Sequence, residues 1–129
     1  FMSDCTTRGI RIQVRPRYLP EASRPEAGQW MFGYDIEITN TGSETVQLLH
    51  RHWVITDGDG QTQEVRGAGV VGQQPVIAPG GRYQYNSGCP LTTPVGTMHG
   101  SYQMQVLDSQ TTFDARIAPF RLAVPGVLN

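Results

Sequence analysis

Four groups of residues in this chain could do chemistry. The most conspicuous is Gly67-Ala68-Gly69-Val70-Val71-Gly72, a G-x-G-x-x-G. In a dinucleotide-binding unit such glycines join a strand to a helix whose N-terminus holds a pyrophosphate. Here the motif runs into Gln73-Gln74-Pro75-Val76-Ile77-Ala78-Pro79-Gly80. Two prolines that close together preclude the helix, and no acidic residue follows about 20 residues on in a βαβ unit. What survives is a nest of backbone N–H groups that could hold an anion beside Arg66 or Arg82. The bland alternative, which the residues favour, is a tight connection that needs glycine for positive φ.

The second group is His50 and His52, two apart on a strand and so on one face. With Cys89 or His99 they could complete a soft metal site, but spacing alone does not bring His99 to them. Two polar positions on a bulged or solvated strand is the preferred reading. The third is Asp57 and Asp59 in Asp57-Gly58-Asp59-Gly60, which starts like a calcium loop. It lacks the further ligand and the closing Glu, so a hairpin turn explains it better. The fourth is a Cys89–His99 nucleophile pair, for which no orienting third group is evident. All ten basic residues are Arg, so no Schiff-base or P-loop lysine exists. No catalytic set, metal site or cofactor is expected.

These residues need elements to position them. Ile10, Ile12 and Val14 alternate with Arg11, Gln13 and Arg15, the period of a half-buried strand. Phe32, Tyr34, Ile36 and Ile38 repeat that pattern up to the Asn40-Thr41-Gly42-Ser43 turn cluster. From Thr45 to Thr56 the phase slips, with Val46 and Leu48 in one register and Leu49, Trp53 and Ile55 in the other; a bulge near His50 would account for it, as would burial on both faces. Thr62 to Arg66 returns from the Asp57–Gly60 turn. Residues 67–81 read as loop, with a brief pairing at Val76 and Ile77. Tyr83 and Tyr85 mark another strand, and Pro90 and Pro94 bracket a second loop. Met98 to Val106 and Phe113 to Leu122 complete the set. Residues 18–28, with Pro20 and Pro25, read as loop.

About seven strands with no helix-period segment predict an all-β immunoglobulin- or fibronectin type III-like antiparallel β-sandwich, a partly open barrel being the alternative. The 129 residues make one domain, and 15 glycines and 9 prolines fit a turn-rich fold. The expected divisions are a flexible N-terminus at 1–8 (with Phe1 ahead of Met2 a cloning remnant), the sandwich at 9–125 and a tail at 126–129. A net charge of −1 argues against nucleic-acid binding. No apolar run reaches the roughly 18 residues of a membrane span, and the first residues do not read as a signal peptide. Two cysteines without a C-x-x-C suggest a reducing, cytoplasmic setting. Trp53, Tyr83, Tyr85 and Tyr102 are mostly core by phase, though some could line an exposed patch.

One resemblance spans nearly the whole chain. Arg51-His52-Trp53-Val54-Ile55-Thr56-Asp57-Gly58-Asp59-Gly60 leads into Val65-Arg66 and the glycine run through Pro75. Ala78-Pro79-Gly80, Tyr83-Gln84-Tyr85, Ser87-Gly88, Thr93-Pro94, Gly96-Thr97-Met98-His99-Gly100-Ser101-Tyr102 and Phe120 to Pro125 follow. This combination resembles the ApaG (CorD) family. The resemblance implies the same sandwich and no established enzymatic activity. It also implies gene company with a diadenosine tetraphosphate hydrolase, a link to cobalt resistance and magnesium efflux, and kinship with domains in F-box and polymerase-delta-interacting proteins that serve protein contacts. His52, Cys89 and His99 are not part of that family signature. The expectation is a non-enzymatic binding module for an unidentified protein partner, with any cation effect indirect. The surface would comprise Gly67, Gly69, Gly72, Gln74, Arg51, Trp53 and Arg66. The alternative is a small-ligand binder, for a divalent cation or a nucleotide or pyrophosphate at the Gly67–Gly72 loop.

Overall fold

Alternating apolar residues bury one face of each strand, and two such faces close on each other in this computed structural model, which describes residues 2–127. The strands are β1 (Ser3–Thr7), β2 (Ile10–Tyr18), β3 (Trp30–Asn40), β4 (Val46–Asp57), β5 (Thr62–Ala68), β6 (Val76–Ile77), β7 (Arg82–Leu91), β8 (Val95–Val106) and β9 (Thr112–Ala123). One sheet has the order β1-β2-β3-β7; the other runs β5-β4-β8-β9, with the short β6 also on β4. All pairings are antiparallel. The expected all-β sandwich is the architecture found. No helix among the described residues is long and apolar enough to cross a membrane.

Register follows the apolar pattern. Ile12 lies opposite Ile38 and Val14 opposite Ile36, so one face of β2 and β3 is continuous core. In the second sheet two irregularities keep the apolar residues inward. The β4–β8 register shifts between Leu48 and His50, leaving Leu49 as the extra residue. Val46 and Leu48 before the bulge and Trp53 after it therefore all face the core. The β8–β9 pairing shifts between Met98 and Gly100, which lets both Ile117 and Phe120 point inward.

The frayed N-terminus does not hold for residues 3–7. They form β1, in register with β2 from Ser3↔Val14 to Thr7↔Ile10. The strand is held by polar bonds that no apolar pattern announces: the Ser3 hydroxyl donates to the Ala118 carbonyl (2.6 Å), the Arg116 amide to Thr7 Oγ1 (3.1 Å), and Arg11 pairs with Asp4 (2.7 Å). Phe1 lies outside the described residues, as do Leu128 and Asn129 of the expected tail. The 18–28 loop holds two single-turn 3-10 helices, Pro20–Ala22 and Pro25–Ala27, each opened by proline. The second expected loop shrinks, because β7 continues through Pro90 to Leu91. It is an edge strand, where proline's missing N–H does no harm.

Trp53 is the centre of the core at 3% exposure. Its ring meets Tyr34, Tyr102 and Phe120 edge-on, with centroids at 5.4, 6.3 and 5.9 Å. The Tyr85 and Tyr102 hydroxyls bond each other. Burial raises the hydroxyls of Tyr34, Tyr85 and Tyr102 above the ordinary tyrosine pKa. The unfolded chain ionises them near pH 10 while the fold keeps them protonated. Stability from these groups is therefore complete below about pH 10 and falls as pH rises toward the folded values, by up to ~1.4 kcal/mol per pH unit per tyrosine. Guanidinium midpoints at pH 8 and pH 11 should show that loss, and Tyr102→Phe should show a smaller one.

Candidate functional site

The glycine connection hangs from the β4 bulge. Because Leu49 is the unpaired extra residue, its carbonyl is available, and it accepts from the Gly69 amide (2.8 Å) and from Gln74 Nε2 (2.9 Å). Gln47 Nε2 donates to the Gln74 carbonyl (3.0 Å) and the Leu48 amide to that of Pro75 (3.0 Å). Val70 is a buried anchor at 1% exposure. Val70 and Gln73 exchange both backbone bonds (2.8 and 2.9 Å) around Val71 and Gly72, with φ of +48° and +76°. Positive φ at both central positions is the requirement of a type I′ turn. The amides of Gly69, Val70 and Gln73 thus serve the loop's own closure. No helix follows Gly72; the chain enters β6.

Arg51 ties the same loop from beneath. Its Nη1 donates to the Ala68 and Gly69 carbonyls, both at 3.0 Å. The guanidinium lies where a side chain on Gly67 would be: a Cβ there would sit 2.7 Å from both Nη atoms. Gly67 is therefore the space that Arg51 occupies, and Gly69, at φ +64°, abuts the Gln73 carbonyl.

Of the seven expected surface residues, the structure brings together Arg51, Gly67, Gly69 and Gln74, with Gly72 at the turn tip. Trp53 is two positions further along β4 and is core. Arg66 points to the outer face, 71% exposed, 3.4 Å from Glu64. Arg82, the other suggested anion partner, pairs instead with Glu37 (2.9 Å). His50 and His52 do share the outer face, but each has a protein partner: Gln103 (2.9 Å) and Glu64 (2.7 Å). That contact with His52, with Arg66 close by, holds the Glu64 carboxyl below its usual pKa. Cys89 is buried in the opposite sheet, its thiol pushed up to about 11 by desolvation, while His99 is exposed on β8. Among the described residues, no three His, Cys, Asp or Glu side chains lie together as a metal would need. Asp57 Oδ1 accepts from the Asp59 and Gln61 amides (2.9 and 3.0 Å), which makes it the cap of the hairpin turn.

Sequence reasoning missed a cleft. Between the outer edges of β5 and β7 the sheets part, leaving about 390 Å³. Trp53, Ile55, Val65 and Met98 form apolar wall, Tyr34, Tyr85, Ser87 and Cys89 the other side, and Val70 and Val71 the rim, with Arg51 at the root of the loop. Pairing of β3 with β7 creates it, and nothing local in either strand signals that pairing.

Val71 is the outlier of this region. A β-branched residue at φ +48° is disfavoured, yet its side chain is 65% exposed. Val71→Asn should raise stability by about 1 kcal/mol, because Asn adopts this conformation more readily. A denaturant titration of both proteins checks it; an unchanged or lower midpoint would show that the valine is unstrained.

Fold and site together define a class: a two-sheet β-sandwich whose glycine connection is bound to a bulged strand and rims an intersheet cleft. The chain belongs to the ApaG family, whose domain model matches residues 20–106. Protein ApaG of Pseudomonas paraeruginosa is 57% identical over 128 residues, covering 99% of this chain and 100% of that protein. Protein ApaG of Bordetella pertussis is 52% identical over 120 residues, 93% of this chain and 91% of the relative. A crystal structure from Bordetella pertussis, described as ApaA, superposes with TM-score 0.89 at 49% identity, covering 95% of this chain and 99% of that one. The C-terminal domain of wzt shares only the fold, at 12% identity and TM-score 0.56.

Proposed function

We propose that this ApaG-family chain is a non-enzymatic binding module that meets a protein partner through the glycine-loop end of the sandwich. The observation that carries this is Val71, an apolar side chain held out in solvent by an unfavourable backbone conformation. Strain of this kind persists where the surroundings over-determine it and gathers at functional positions. Val76, at the other end of the same connection, is a second exposed apolar side chain, at 55%. The working compartment is the reducing cytoplasm, a reading supported by Cys5 and Cys89 both being free thiols. The cobalt resistance and magnesium efflux implied by the family resemblance would be exercised through the partner.

A photo-reactive amino acid placed at position 71 in living cells tests this. The expected result is a discrete adduct from position 71, absent when the same group sits at Leu107 and competed away by the unlabelled wild-type chain. Equal labelling from both positions, or none from position 71, overturns the proposal.

A further inference from the structure

The intersheet cleft carries an inference that does not depend on any partner. Beyond the β4 bulge, Arg51 shares its inward phase with Trp53 and Ile55, and its half-buried side chain borders both the mostly apolar cleft and the outer-face hollow of His50, His52 and Asp114. A cation in such a place normally has a carboxylate beside it. Among the described residues Arg51 makes no ion pair; its partners are the two loop carbonyls of Ala68 and Gly69, both reached by Nη1. A guanidinium has five N–H donors, so the Nε–Nη2 edge, the one that matches a carboxylate with two parallel bonds, is left over.

The volume is of the size that small-molecule pockets have, roughly 300–1,000 Å³. Polar groups here are few and convergent. The Tyr34 and Tyr85 hydroxyls stay neutral, since burial raises their pKa, so they add hydrogen-bonding capacity without negative charge. The Arg51 charge reaches both of them, acting to lower their pKa against that trend. Inorganic anions would satisfy the guanidinium but leave the half-buried apolar side chains of Ile55 and Val65 against water.

We propose that the cleft between β5 and β7 is a binding site for a small organic carboxylate with an apolar body. The carboxylate lies against the Nε–Nη2 edge of Arg51, and the body lies along Trp53, Ile55, Val65 and Met98. The loop carbonyls fix the guanidinium in place before the ligand arrives, so the cation is pre-organised for it.

The test uses the wild-type full chain, ¹⁵N-labelled, titrated separately with 4-phenylbutyrate, its neutral primary amide, and inorganic phosphate. The expected result is saturable binding of the acid with Kd of about 1 mM or tighter. Shifts should centre on Val65, Val70, Ser87 and Cys89, with the amide and phosphate each at least about tenfold weaker. No saturation by the acid, equal binding of the amide, tighter binding of phosphate, or shifts centred on His50 and His52 of the outer face would each overturn it. Arg51→Gln should abolish the preference of acid over amide. Because Arg51 also ties the loop and this variant could lose the fold, the acid–amide comparison in the wild-type chain stands as the deciding measurement.

Discussion

Truncating Trp53 to alanine is expected to lower the unfolding free energy by about 3–5 kcal/mol, the range for removing a large aromatic from a packed core. The ring is 3% exposed and makes edge-on contacts with Tyr34, Tyr102 and Phe120. All three contacts vanish together, and strands from both sheets cannot collapse into so large a void without moving the sheets. Denaturant unfolding of Trp53→Ala against Val76→Ala checks this. Val76 is 55% exposed, and its truncation should stay within about 0.5 kcal/mol. A loss below about 1 kcal/mol for Trp53→Ala would mean that the sandwich tolerates repacking at its centre.

Gly69→Ala should be the most damaging change in the glycine motif. Its φ is +64°, and an added Cβ would stand 2.3 Å from the Gln73 carbonyl, a backbone atom that cannot step aside. The left-handed conformation accounts for about 1–2 kcal/mol, and displacement of the turn brings the total to about 2–4 kcal/mol. Gly72→Ala shares a positive φ but meets nothing within 4 Å, so it should lose only about 1 kcal/mol. Thermal unfolding of the two variants separates clash from strain. The practical consequence is that a function lost in Gly69→Ala cannot be assigned to a missing phosphate contact unless the variant is shown to keep the Val70–Gln73 turn.

The strands with strict alternation were legible because one-sided burial writes itself into period two: Ile10–Val14, Phe32–Ile38 and Met98–Val106 all lie where the pattern puts them. The phase slip near His50 was legible for the same reason, but it fitted burial on both faces as well as a bulge, and the register shift between Leu48 and His50 decides for the bulge. β1 was not, because Ser3-Asp4-Cys5-Thr6-Thr7 carries no apolar alternation and is held by hydroxyl bonds to β9 and a guanidinium bond to the neighbouring β2. The far half of β7 was hidden by Pro90, which reads as a breaker until its edge position is known.

At the site, the glycine run was visible as a motif, but its reason was not. Gly67 makes way for a guanidinium that arrives from a neighbouring strand, and that depends on a cross-strand register. Trp53 entered the expected surface beside Arg51 because a tryptophan is the kind of aromatic that can line an exposed patch, although its phase marked it as core. The two residues share a side of β4, yet only Arg51 lies near enough to the loop to reach it. Val71 is typed like any other valine, so its backbone conformation leaves no trace in composition or spacing.

The extra residue at Leu49 has one more effect. A bulge is usually a break in a ladder, but here the carbonyl it releases is what the Gly69 amide and the Gln74 side chain hold on to. The connection is thereby joined to an interior strand of its sheet instead of hanging between two edges. Its breathing should keep time with that sheet. In native-state hydrogen exchange the Gly69 and Val70 amides should open on the slow schedule of β4, while Gly60 and Gln110, in ordinary surface turns, exchange far sooner.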